Sequence, residues 1–147
     1  MIKRSFMSLI VVALDQLTKK IALHYSLSHK LSPVFSFCRI NICWNRGISF
    51  SLCSSFYSWV IKIVVLSACI LLINFWYKSR KNSEIFAYSL ILGGGISNLM
   101  DRFWHGAVLD FIEIKLMDTV FPIFNLADIS ITVGVIVLLW KEFVYKK

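Results

Sequence analysis

The sequence predicts an all-α membrane protein with four transmembrane helices, a small extracytoplasmic β-hairpin or sheet, and both termini in the cytoplasm. Three observations lead there. Hydrophobic residues fill 58% of the 147 positions and charged residues only 16%, with a mean hydropathy of +0.72, far from the balance of a soluble domain. The apolar residues gather into runs of about 20, the length that crosses a hydrocarbon core of roughly 30 Å. Lys and Arg outnumber Asp and Glu by 16 to 8, yet the basic residues fall mostly between and beyond the runs, which suits membrane orientation and not a nucleic-acid patch. No nucleic-acid partner is expected. Residues 1–147 read as one integral membrane domain.

The first span is predicted over residues 5–23. The alternative, a cleaved secretory signal peptide, has its charged start in Lys3-Arg4, but no small-x-small cleavage site follows Leu14, and Leu17, Ile21, Ala22 and Leu23 carry the apolar face onward. Asp15 and Lys19 lie four apart on this helix and are expected to form a structural ion pair. Between about 33 and 53 the period changes to two. Ile40, Ile42 and Trp44 alternate with polar or small residues, and after Arg46-Gly47 so do Ile48, Phe50 and Leu52, which reads as a β-hairpin with Asn45 and Gly47 at its tip. A lone hairpin is marginal in water, so it is expected to rest on the membrane or on the helices.

The second span is predicted over 56–77, with aromatic residues at both ends and Lys62 snorkelling to the nearer interface. A short basic loop leads to the third span, 85–104. Its Gly93-Gly94-Gly95 suits close helix packing, since no strand precedes it and no phosphate-binding pattern surrounds it. Asn98, Asp101 and Arg102, spaced three and four, share a face of this helix and need partners. A short polar segment from 105 to 120 holds Asp110, Glu113 and Asp118, the last two read as solvated. The fourth span, 121–140, sets Asn125, Asp128 and Thr132 on one stripe. The cysteines Cys38, Cys43, Cys53 and Cys69 show no CxxC and no metal-ligand spacing with the histidines, so they read as small apolar residues, and no metal or other cofactor is expected. Most loop Lys and Arg fall on the side of the two termini, which orients that side to the cytoplasm and sends the hairpin, Asp110 and the outer ends of the third and fourth spans outward.

Asp110 and Asp128, 18 residues apart, are therefore the candidate catalytic residues. Two carboxylates held close do not both ionise easily, so one keeps a proton while the other acts as a base, enough to activate water and protonate a leaving amide nitrogen. Other hydrolytic designs fit less well: there is no HExxH or GxSxG, and Ser58 with Lys62 is a spacing that chance supplies readily.

Further residues carry a family resemblance. Asp15-Gln16-Leu17-Thr18-Lys19, Asn45-x-Gly47, Gly93-Gly94-Gly95-x-x-Asn98-x-x-Asp101-Arg102, Val108-x-Asp110-Phe111-Ile112 and Phe124-Asn125-x-Ala127-Asp128 occur in the order and at roughly the spacing of bacterial lipoprotein signal peptidase, signal peptidase II. The resemblance covers nearly the whole chain. It implies an aspartic endopeptidase of the bacterial inner membrane that removes the signal peptide from prolipoproteins on the amino side of a diacylglyceryl-modified cysteine. It also implies a catalytic dyad of Asp110 and Asp128, with Asn98, Asp101, Arg102 and Asn125 positioning the substrate and supporting the dyad, and Asn45 and Gly47 contributing from the hairpin. The partners implied are the lipid-modified prolipoprotein and membrane lipids; a monomer is expected, and a hairpin resting on the membrane surface is expected to cover the scissile bond and move as a gate. Two positions depart from the family pattern: Ser97 stands where Gly is usual, and Ser49 where Ala is usual.

Two other classes compete. A small proton- or ion-coupled transporter also places Asp residues in a membrane, but it calls for polar groups at several depths, and the middle of the second span and the inner half of the fourth are almost wholly apolar. An assembly factor without activity uses such polar stripes as interhelical glue.

Overall fold

The computed structural model describes residues 2–28, 32–35, 37–47, 58–117 and 119–145. Among them the chain runs α1 (Ile2–Ser28), β1 (Ser32–Phe35), β2 (Cys38–Asn45), α2 (Ser58–Lys78), α3 (Asn82–Trp104), β3 (Val108–Leu116), β4 (Thr119–Val120) and α4 (Leu126–Tyr145). It is mostly helical with a small antiparallel sheet. The 20 residues Trp59–Lys78 form a helix long and apolar enough to cross a membrane.

Helix α3 is the hub, packing against α1, α2 and α4. The glycine triplet explains how. A Cβ at Gly93 would lie 2.8 Å from the Ser8 carbonyl oxygen of α1, and one at Gly94 would lie 2.5 Å from the Ala127 carbonyl oxygen of α4. Both helices thus approach the α3 backbone more closely than any larger residue allows. Gly134 returns the contact from α4, where a Cβ would meet the Ala87 carbonyl oxygen at 2.7 Å.

Strand β2 pairs with β1 on one side and β3 on the other, in the order β1-β2-β3-β4. β1 and β2 form a hairpin joined near Phe37, and the arm expected at 48–52 lies outside the described residues. β3 occupies the segment expected to be a solvated loop. The run Ile112-Glu113-Ile114-Lys115-Leu116 alternates with period two, and the strand satisfies its backbone groups against β2, with Cys43 opposite Asp110 and Asn45 opposite Val108. Glu113 is correspondingly not a free loop residue: it faces Arg39 at 3.7 Å and accepts from Asn41 Nδ2 at 2.7 Å. Asp118 lies outside the described residues.

The fourth helix begins five residues later than expected, at Leu126. Phe121 to Asn125 stay extended; Phe124 bonds back to Ile112 on β3 in both directions, N to O 3.1 Å and O to N 2.8 Å. Pro122 supplies no N–H to a helix, and Asn125 supplies its cap. The Asn125 side-chain oxygen accepts from the Asp128 N–H at 2.9 Å, and Asp128 Oδ2 accepts from the Asn125 N–H at 3.2 Å. This reciprocal pair is a capping box in which Asn and Asp replace the commoner Ser/Thr and Glu.

Candidate active site

Four elements deliver the polar residues. α3 turns Asn98, Asp101 and Arg102 inward, as the three-and-four spacing demands, and all three are buried. α1 brings Asp15, Gln16 and Lys19, β2 and β3 bring Asn45 and Asp110, and the start of α4 brings Asn125 and Asp128.

Beneath the two candidate carboxylates lies a bonded base. Lys19 Nζ sits 2.6 Å from Asp15 Oδ2 and 2.7 Å from Asp101 Oδ2, and donates to Asn98 Oδ1 at 3.0 Å. Its three N–H groups thus each find an acceptor, which is what a buried ammonium requires. Asp15 also joins α1 to α4 by accepting from the Ala127 N–H at 2.8 Å. Two residues that the sequence reading left without a role complete this base. Gln16 Nε2 donates to Asp101 Oδ1 at 2.8 Å and Ser97 Oγ at 3.0 Å, and Ser97 Oγ donates to Asp15 Oδ2 at 2.7 Å. The Ser97 hydroxyl thus adds a bond where glycine would add none. The signal for it was its place one turn before Asp101 on the same helix.

Above this base, two asparagines tie the carboxylates together. Asn98 Nδ2 donates to Asp128 Oδ1 at 2.9 Å. Asn125 Nδ2 donates to Asp110 Oδ1 at 2.6 Å and to Asn98 Oδ1 at 3.1 Å. The second Asp110 oxygen accepts from Asn45 Nδ2 at 3.0 Å, while Asn45 Oδ1 accepts from the Gly47 N–H at 3.0 Å and so orders the end of β2. Arg102 Nη2 donates to the Gly47 carbonyl at 2.7 Å and Nη1 to the Asn98 carbonyl at 3.1 Å. Among the described residues, every sequence-predicted site residue therefore joins one connected set. Thr132, on the same stripe as Asp128, is exposed and reaches only the Asp128 main-chain carbonyl, at 2.8 Å.

Asp110 is 2% exposed. Burial is the main cause that pushes its carboxyl up to about 6, with the nearby Asp128 charge acting the same way, against the amide donors Asn45 and Asn125 and the Lys19 charge. A carboxyl that titrates near neutrality beside a second carboxylate is poised to hold one proton between them. Both line a cavity of about 110 Å³ with Asn45, Asn98, Arg102, Gly95, Val65, Val108 and Ile131. A larger cavity of about 460 Å³ lies at the other end of α3 and α4, lined by Lys81, Glu84 and Lys141, but no buried carboxylate pair faces it. Among the described residues no three His, Cys, Asp or Glu side chains meet as metal ligands.

Residues 7–144 match the family model described as signal peptidase (SPase) II. The chain is similar to the lipoprotein signal peptidase of Anaplasma phagocytophilum, 42% identical over 135 residues that make up 90% of this chain and 86% of that protein. It is also similar to the lipoprotein signal peptidase of Teredinibacter turnerae, 34% identical over 141 residues, 92% of this chain and 83% of that protein. A solved bacterial membrane enzyme, obtained by the in meso method, superposes on 99% of this chain and 92% of its own with a TM-score of 0.83 at 29% identity. These findings give no support to the transporter reading. The matched residues take in the whole of the bonded set from Asp15 to Asp128, and the chain belongs to the signal peptidase II family of peptidases.

Proposed function

We propose that the protein is an aspartic endopeptidase that removes the signal peptide from diacylglyceryl-modified prolipoproteins, cutting on the amino side of the lipidated cysteine, with Asp110 and Asp128 as its dyad. One observation carries this. Asn125 donates to Asp110 at 2.6 Å while its backbone N–H and side-chain oxygen clasp Asp128, so two carboxylates from separate elements share one small cavity. With one proton between them, the ionised carboxylate takes a proton from water as the water oxygen adds to the scissile carbonyl carbon. The protonated partner gives its proton to the leaving nitrogen as the C–N bond breaks. Asn45, Asn98 and Asn125 hold the carboxylates in place, Asp101 anchors Lys19 beneath them, and Asp15 with Lys19 is structural. No metal or cofactor takes part.

The setting is the bacterial inner membrane, crossed by all four helices of a single monomeric domain, with both termini cytoplasmic and the sheet and dyad at the outer face. Support comes from the inside-out arrangement. Asp15, Lys19 and Asp101 of α1 and α3 point inward and bond one another, while Leu9, Leu17 and Ile21 of α1 and Val135, Ile136 and Leu139 of α4 are exposed, as lipid contact requires. A lipid-bearing substrate then meets the dyad at the membrane surface.

The test is cleavage of a lipidated prolipoprotein by purified protein beside Asp110→Asn and Asp128→Asn. Each substitution is expected to lower turnover by about 10³-fold or more, since either one removes a proton-transfer group, while folding and substrate binding persist. Retained cleavage in either variant removes that residue from the mechanism, and inhibition by a chelator points to a metal instead.

A further inference from the structure

Among the described residues one buried side-chain polar atom has no partner: Nε of Arg102. Arg102 is 7% exposed, and an unmet donor on a buried cation is costly, so its retention calls for an explanation. The other two guanidinium nitrogens are committed to main-chain carbonyls, Gly47 at the end of β2 and Asn98 on α3. These bonds fix the plane of the fork and leave Nε as the one guanidinium nitrogen without a partner.

Arg102 lines the same small cavity as Asp110 and Asp128, yet bonds neither. That separation has a chemical meaning. A guanidinium bonded to a carboxylate holds it ionised and well below its ordinary range, which would strip the dyad of the proton it needs. Anchored to two carbonyls, Arg102 keeps its charge near the dyad while its Nε bonds neither carboxylate. The two asparagine nitrogens on the cavity wall each already hold a carboxylate, Asn45 Nδ2 bonding Asp110 and Asn98 Nδ2 bonding Asp128.

From this we propose that Arg102 is a catalytic residue whose Nε–H donates to the scissile carbonyl oxygen of the substrate. The inference rests on the dyad reading above. As water adds to the carbonyl carbon, the C=O π pair moves onto that oxygen, and the developing negative charge is met by a fixed cationic donor in a site shielded from water. When the pair returns, the C–N bond breaks, the nitrogen leaves with the proton from the dyad, and the new carboxyl keeps the oxygen supplied by water.

Two non-cleavable analogues of the lipidated substrate separate this role from a structural one. A phosphinate carries both oxygens of the tetrahedral intermediate, whereas a reduced amide has a methylene in place of the carbonyl and offers no oxygen to Arg102. Arg102→Lys, which keeps a charge able to hold Gly47 but has no Nε–H, is expected to lower kcat by about 10²- to 10³-fold, the range for losing one such donor, with KM little changed. Phosphinate affinity should fall by a similar factor while reduced-amide affinity stays the same. Equal losses for the two analogues, or wild-type kcat in the variant, overturn the proposal. A measurement on the wild-type protein needs no variant: the Arg102 Nε–H NMR resonance should move downfield with the phosphinate and not with the reduced amide, and an unmoved resonance with both bound is a refutation. Failure of the dyad reading shows itself separately, as turnover retained in Asp110→Asn or Asp128→Asn.

Discussion

At the scale of single residues, the protonation of Asp110 is the feature with the clearest consequence. Its carboxyl is raised from 3.8 to about 6, so the native state binds that proton more tightly than the unfolded chain does. The sign follows: Asp110 favours the native state at low pH, and this contribution is lost as pH rises from about 4 through about 6. Activity should follow the same proton. On the proposed mechanism kcat/KM is expected to fall on its alkaline side with an apparent pKa near 6 that belongs to the coupled pair. A bound substrate that excludes more water should move the corresponding limb of kcat upward. Steady-state rates from pH 4.5 to 9 check this, and a flat profile across that range would show that no shared proton governs the reaction. Asp110 and Asp128 were legible in the sequence because carboxylates beside apolar runs are expensive. Gln16 and Ser97 were not, because an uncharged polar residue on a helix face gains its meaning only from what packs opposite.

At the scale of elements, the capped start of α4 couples fold to site. The turn that ends the extended segment at Asn125 also sets the angle between Asp128 and Asp110, and α4 reaches that position only because it lies directly on Gly94. Gly94→Ala would force a methyl to within 2.5 Å of the Ala127 carbonyl oxygen and 2.8 Å of Ile131 Cγ1. We expect a loss of about 1–3 kcal/mol in stability, typical of overpacking, and a 10- to 100-fold loss of turnover as Asp128 is displaced. Thermal unfolding in detergent and a cleavage assay read the two effects, and an unchanged melting temperature would mean that the helices part more easily than their contact implies. The helices themselves were visible as apolar runs. Strand β3 was missed although its alternation was in plain view, because a polar stretch between two membrane runs reads equally well as a loop until β2 is found beside it.

At the scale of the whole molecule, the protein is polar inside and apolar outside where its helices pack. The bonded set links α1, α3, α4 and the sheet through buried charges, and the exposed surface of α2 is almost continuous hydrocarbon. The orientation proposed from the basic residues makes a direct prediction. In a background without the native cysteines, Met117→Cys, at a position 95% exposed just past β3, should react in intact cells with a membrane-impermeant maleimide. Arg80→Cys, in the loop between α2 and α3, should react only after the membrane is opened, and the reverse pattern would invert the topology. The sequence by itself determined the mostly helical membrane character, the two candidate carboxylates and the family, since these depend on composition, period and motif order along the chain. Only the tertiary structure decided which strand lies beside β2, that Lys19 serves three acceptors, that Asn125 joins both carboxylates, and that Arg102 Nε is left without a partner. Those are matters of distance between residues far apart in the chain, and they are set by how closely the helices pack on Gly93 and Gly94.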